Sequence, residues 1–210
     1  MRIISVLAAV VAASCTAPHR QTTPAPPPAV RTETMPASMP MAMDTTPTRY
    51  TDAQFMQGMI LHHAQALEMT SLIPSRTTSE QFRLLGQRIE VSQKDEIGTM
   101  QRWLRAHGAD VPGLDEHHMH HDASGRMMMM PGMLTYEEMA QLEKSTGVEF
   151  ERLFLQFMIR HHEGALSMVG DLFASQGGGK DPQVFAFASD VDADQRAEIK
   201  RMQTLQRNLK

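Results

Sequence analysis

The feature that most constrains this chain is that it says the same thing twice. Phe55, Met59, His62, His63, Ala66 and Met69 return as Phe154, Met158, His161, His162, Ala165 and Met168, each 99 positions later. Gln93, Glu96, Ile97 and Met100 return as Gln195, Glu198, Ile199 and Met202, each 102 positions later. Two copies of one pair of segments imply two copies of one structural unit. Because a lone unit leaves its apolar face in water, the copies are expected to pack against each other.

The period identifies the unit. Within each segment apolar residues recur at i, i+3, i+4 and i+7, and none shows the strict alternation of a strand. Four helical stretches are predicted: about 52–73, 79–107, 135–175 with a break near Gly147, and 182–208. The fold class is all-α, a four-helix bundle of two repeated hairpins. The folded domain should run from 51 to 209, after Thr51 offers a capping residue. Between the hairpins, 108–133 carries Pro and Gly with little helical periodicity and reads as a long loop.

The first 50 residues read differently. Arg2, an apolar run from Ile3 to Ala13, and then Ser14-Cys15 have the order of a secretory signal over 1–14 followed by a lipid-modifiable cysteine. The apolar run is shorter than the roughly 20 residues a spanning helix needs. From 15 to 50 the Pro, Thr, Ala and Met composition suits a flexible tether, anchored to a membrane through lipid at Cys15. The expected location is the bacterial periplasm or cell envelope. An ordinary signal peptide with an incidental Cys15 is the alternative.

Cys15 is also the only cysteine, so a mature domain has neither a disulfide nor a thiolate cage. A net charge of −4 without a Lys/Arg cluster argues against nucleic acid as partner. Gly177-Gly178-Gly179-Lys180 lacks the strand and spacing of a phosphate loop and reads as an interhelix turn. What stands out is sulfur: 19 methionines in 210 residues, against 5% aromatics.

A methionine sits one turn before each histidine pair, Met59 before His62 and His63, Met158 before His161 and His162, with Met69 and Met168 further along the same stripes. Thioether beside imidazole is a preference of copper, Cu(I) above all, over hard ions. Met100 and Met202 lie one turn beyond Glu96 and Glu198. The packing alternative is that methionine fills core gaps and one histidine of each pair is a hydrogen-bonded core residue. Glu96 and Glu198 invite comparison with di-iron bundles, but Thr99 and Arg201 stand where Glu-x-x-His would need histidine, so the glutamates read as solvated or as orienting partners of imidazoles.

The loop holds the denser cluster. His117, His118, His120 and His121 suit Cu(II) or zinc, and Met127, Met128, Met129 and Met130 suit Cu(I) or silver. Met35, Met39, Met41 and Met43 in the tether add weaker soft-metal candidates.

The pattern from Asp52 and Phe55 through Met59, His62, His63, Ala66 and Met69, with its copy, resembles the signature of the family called domain of unknown function 305. Gln93, Glu96, Ile97, Met100, Trp103 and Leu104 resemble its second motif, and the likeness covers about 51–209. It implies a ferritin-like bundle, frequent export, and kinship with periplasmic copper-binding proteins linked to copper resistance. It also implies metal ligation by Met59, His62, His63, Met158, His161 and His162. Two departures mark the second copy: Glu151 for Asp52, and Leu205 for Trp103. The functional expectation is a non-enzymatic envelope protein that binds copper and buffers it or passes it to a partner protein. A cuprous or di-metal oxidase, and a purely structural bundle, are the alternatives.

Overall fold

The computed structural model describes residues 51–115 and 129–209. Cys15, with the expected signal and tether, and His117, His118, His120, His121, Met127 and Met128 lie outside them. The described chain is helical: α1 (Asp52–Ser71), α2 (Ile73–Arg76), α3 (Glu80–Ala106), α4 (Tyr136–Lys144), α5 (Gly147–Ala174) and α6 (Pro182–Asn208).

Local chemistry sets the boundaries. Thr51 opens α1 through a capping box with Gln54, and Thr135 opens α4 through one with Glu138, each satisfying two otherwise orphaned N–H groups. Pro74 lacks the N–H that would continue α1, and the chain steps into the single turn α2. The break expected near Gly147 is real: Ser145 ends α4, and Gly147, at φ 58, takes the left-handed conformation that begins α5 on a new axis. Asp181 caps α6 by accepting from the Gln183 and Val184 N–H groups, with Pro182 in the first turn.

α1 packs chiefly on α3 and α5 on α6, and the two hairpins meet along α1 and α5. A carboxylate near the start of α1 and another in the second turn of α5 lock this arrangement reciprocally. Asp52 accepts from Gly179 N–H at 2.5 Å and Asp181 N–H at 2.9 Å, so α1 is tied to the turn of the other hairpin. Glu151, its counterpart on α5, accepts from the Thr77 hydroxyl at 2.5 Å, in the turn before α3. The departure of Glu151 from Asp52 therefore changes the length of the tie and keeps its purpose. Asp52→Ala should cost about 2 kcal/mol, the scale of hydrogen bonds to a charged group. A lowered urea midpoint with an unchanged slope would show it.

The apolar interior is split in two. One cluster joins Ala66, Met69 and Ile73 of α1 to Phe82, Leu85 and Ile89 of α3, Phe150, Phe154 and Met158 of α5, and Ile199 and Met202 of α6. The other joins Phe55, Met59 and Ile60 to Met100 and Leu104, Ala165, Met168 and Leu172, and Val184 and Val191. Between the clusters all four long helices place polar side chains.

Candidate metal centre

The layer between the clusters consists of His62 and His63 from α1, Gln93 and Glu96 from α3, His161 and His162 from α5, and Gln195 and Glu198 from α6. All but Glu96 are buried, with the four histidines at 0–1% exposure. Polar groups so deep in a core are costly unless paired. Their pairing is systematic but incomplete.

Within each hairpin the second histidine reaches the glutamate of the second helix. His63 Nε2 lies 2.5 Å from Glu96 Oε2, and His162 Nε2 lies 2.6 Å from Glu198 Oε2. Ser92 also donates to Glu96. Since a carboxylate accepts, each Nε2 carries the hydrogen, which turns Nδ1 into the core. The first histidines meet at the junction of the hairpins: the His62 and His161 rings are 3.8 Å apart between centroids and tilted by 40°. His62 Nε2 donates to the carbonyl of Pro131 at 3.0 Å, whereas His161 Nε2 has no partner.

Burial drives the His62 pKa down to about 3, with the nearby His63 imidazole adding to the effect and the Pro131 hydrogen bond opposing it. Burial also holds His161 well below the usual histidine range, and the three surrounding imidazoles push the same way. Both are neutral near pH 7. A neutral ring whose Nε2–H is engaged offers a bare lone pair at Nδ1.

Four buried ring nitrogens thus lack any partner: Nδ1 of His62, His63 and His162, and Nε2 of His161. Two carboxamide oxygens in the same layer, of Gln93 and Gln195, share that condition. Such orphans are rare in a core and call for a ligand, an ion or a water. Among the described residues no three His, Cys, Asp or Glu side chains converge on one point as a ready-made cage. A metal here would draw on thioether as well as imidazole, and both apolar clusters carry buried methionines.

The methionines regroup across the hairpins. Met59 shares its cluster with Met100 and Met168, and Met158 shares the other with Met69 and Met202. All six are fully buried. Each cluster therefore joins three of the repeat's methionines from three helices, with Met56 beside them in one and Met139 in the other. The sequence places Met59 and His62 on one stripe of one helix; the partnership with Met168 follows from the antiparallel packing of α1 on α5. At the layer's edge Met130 packs against Gly58, where an added Cβ would stand 3.5 Å from its sulfur, while Met129 is 48% exposed. The end of the loop's methionine tract thus reaches from solvent to the core.

Residues 52–206 match the model of the domain of unknown function DUF305. The chain belongs to the DUF305 family. Among solved structures it is similar to a DUF305 fragment from Deinococcus radiodurans, 29% identical, with a TM-score of 0.64, covering 78% of this chain and 100% of that one. A DUF305 protein from Streptomyces coelicolor, carrying a secreted designation, is also 29% identical, with a TM-score of 0.62 and coverage of 73% and 89%. CopM in its Cu(II)-bound form is 25% identical, with a TM-score of 0.58 and coverage of 77% and 99%. No curated protein matches the sequence.

Gln93 and Gln195 were visible in the repeat as matched positions, yet nothing in their type marked them as members of the buried layer. Pro131 carried no signal, because its part is played by a backbone carbonyl.

Proposed function

We propose that this DUF305 protein is an exported copper-binding protein that buffers copper or hands it on, without turnover of its own. The observation that carries the reading is the set of four partnerless ring nitrogens in a buried layer between two apolar clusters that each hold buried methionines. Neutral imidazole and thioether are ligands that copper accepts in its reduced state, and carboxylate-held histidines are the usual means of fixing a ligating ring. The likeness to CopM, a protein solved with Cu(II) bound, supports the same ion.

Export is supported by the Arg2-to-Ser14 signal pattern and by the likeness to the S. coelicolor protein. Anchoring through Cys15 and a partner that receives the metal belong to the same reading. Glu96 and Glu198 are each committed to an imidazole, which favours storage or transfer over a carboxylate-bridged oxidase centre. The histidines and methionines of the 117–130 tract would take up Cu(II), zinc or silver first, with Met129 and Met130 leading to the interior.

The test is metal content and Cu(I) competition against a chromophoric chelator, on the full chain produced with copper, zinc and iron all supplied. Copper should be retained. Met59→Leu with Met158→Leu should weaken Cu(I) by at least about tenfold, the lower end of what removing even an outer-shell partner costs a metal site. A wild-type protein that retains no copper and takes up none from Cu(I) refutes the reading; iron at two per chain points to an oxidase.

A further inference from the structure

The two copies of the repeat differ where one extra segment crosses them. Residues 129–134 lie against the junction of α1 and α5, and the sequence changes at the positions they touch. Position 65 is glutamine, and its counterpart 164 is glycine. Gln65 is 1% exposed, and its carboxamide pairs with the Leu134 backbone in both directions: Nε2 donates to Leu134 O at 3.0 Å, and Leu134 N–H donates to Oε1 at 2.7 Å. Across the junction a Cβ on Gly164 would collide with the Pro131 carbonyl, and one on Gly132, at φ 78, would collide with the carbonyl of Arg160. The same repeat position hooks the segment in one copy and makes room for it in the other. Arg160, standing where the first copy has Leu61, holds the following helix α4 through two 2.6 Å hydrogen bonds to Glu138.

The consequence falls on one histidine. The segment held by Gln65 delivers the Pro131 carbonyl to His62 Nε2. A carbonyl oxygen can only accept, so it selects the Nε2–H form and leaves Nδ1 bare. His161 is held differently: its ring hydrogen-bonds the backbone of His62, and its Nε2 has no partner. We propose that Gln65 is a positioning residue that acts through Leu134 and Pro131 to fix the His62 tautomer and present Nδ1 as its ligand atom. The two halves of the repeat are thereby chemically unequal. The assignment of the tautomer stands on hydrogen bonding alone; its use for ligation rests on the copper reading.

The experiment is two-bond ¹H–¹⁵N correlation of the histidine rings in the metal-free full chain at pH 7.5, with His62 assigned by the signals lost in His62→Leu. The wild type should show His62 protonated at Nε2 and bare at Nδ1. Gln65→Leu keeps the side-chain size and removes both hydrogen bonds, so the His62 signals should move to the averaged shifts of exchanging tautomers, and Cu(I) affinity should fall by about tenfold. Gly164→Ala displaces Pro131 from the other side and should move the same signals with Gln65 intact, which tests the proposal if the leucine variant fails to fold. A His62 that is Nδ1–H in the wild type, or that stays Nε2–H in a folded variant of either kind, overturns the proposal. A tautomer shift in a protein that binds no copper leaves the positioning role standing and removes the copper reading alone.

Discussion

Leucine at both His62 and His161 is expected to lower copper affinity by about a hundredfold or more while the bundle folds as before. The fold should survive because the two imidazoles contribute little that leucine cannot. They are neutral and fully enclosed, and each carries a ring nitrogen without a partner. A buried, unsatisfied polar atom costs about 1–3 kcal/mol, and an apolar side chain of similar volume carries no such cost. Two losses oppose this gain, since Pro131 O would give up the hydrogen bond from His62 and the backbone at position 62 would give up that of the His161 ring. A melting temperature at or above that of the wild type is the net expectation. Copper binding should respond the other way. Even partners that only orient a ligand are worth about 10–100-fold in metal affinity, and these two rings meet where all four helices contribute to the polar layer. Metal content, chelator competition and a thermal melt on the same preparations decide the matter. Unchanged copper affinity would move the site to the loop around His117 to Met130. A collapsed melt would make the pair a structural feature of the core.

Some of this arrangement could be read from the sequence, and the physical reason divides what could from what could not. The helices and their break were legible because each is declared locally, by period, by Thr51 and Thr135 at N-termini, by Pro74, and by Gly147. The histidine layer was legible because it is repeated: His62 with His161 and Glu96 with Glu198 stand out against the 99- and 102-residue displacements. The pairing of His63 with Glu96 and of His162 with Glu198 needed the structure, since the turn lengths set which rings face which carboxylates. The grouping of Met59 with Met100 and Met168 needed it too, because a helical stripe records what shares a face and not what lies across an antiparallel neighbour. The crossing segment was least legible. Its fit depends on backbone approaching backbone at Gly132 and Gly164, and a close approach between distant positions has no periodicity. Its trace was a break in repetition beside the matched histidine pairs, with glutamine at 65 against glycine at 164 and leucine at 61 against arginine at 160.

Acid should unfold the metal-free protein earlier than its carboxylates alone would dictate. In the folded chain His62 is held down to about 3 against an ordinary value of 6.5, and His161 is displaced in the same direction, with burial the largest cause for both. A group whose folded pKa is depressed binds its proton more readily when unfolded. Its contribution is therefore fully present above pH 6.5 and is lost as the pH falls from there toward the folded value. In that window His62 removes up to about 1.4 kcal/mol per pH unit, and His161 acts in the same direction. The carboxylates act lower. Glu138, held below its usual 4.5 chiefly by its hydrogen bonds to Arg160, stabilises the fold until the pH drops past that value. Asp194, raised mainly by burial, works in the opposite sense. Between pH 6.5 and 4.5 the buried imidazoles should therefore dominate. Urea midpoints of the metal-free wild type should fall steeply from pH 7.5 to 5.0, whereas those of the protein with leucine at positions 62 and 161 should stay nearly level. Parallel declines in the two proteins would mean that the imidazoles are already accessible to protons in the native state, and an open layer of that kind could not present the bare, sheltered nitrogens on which the copper site depends.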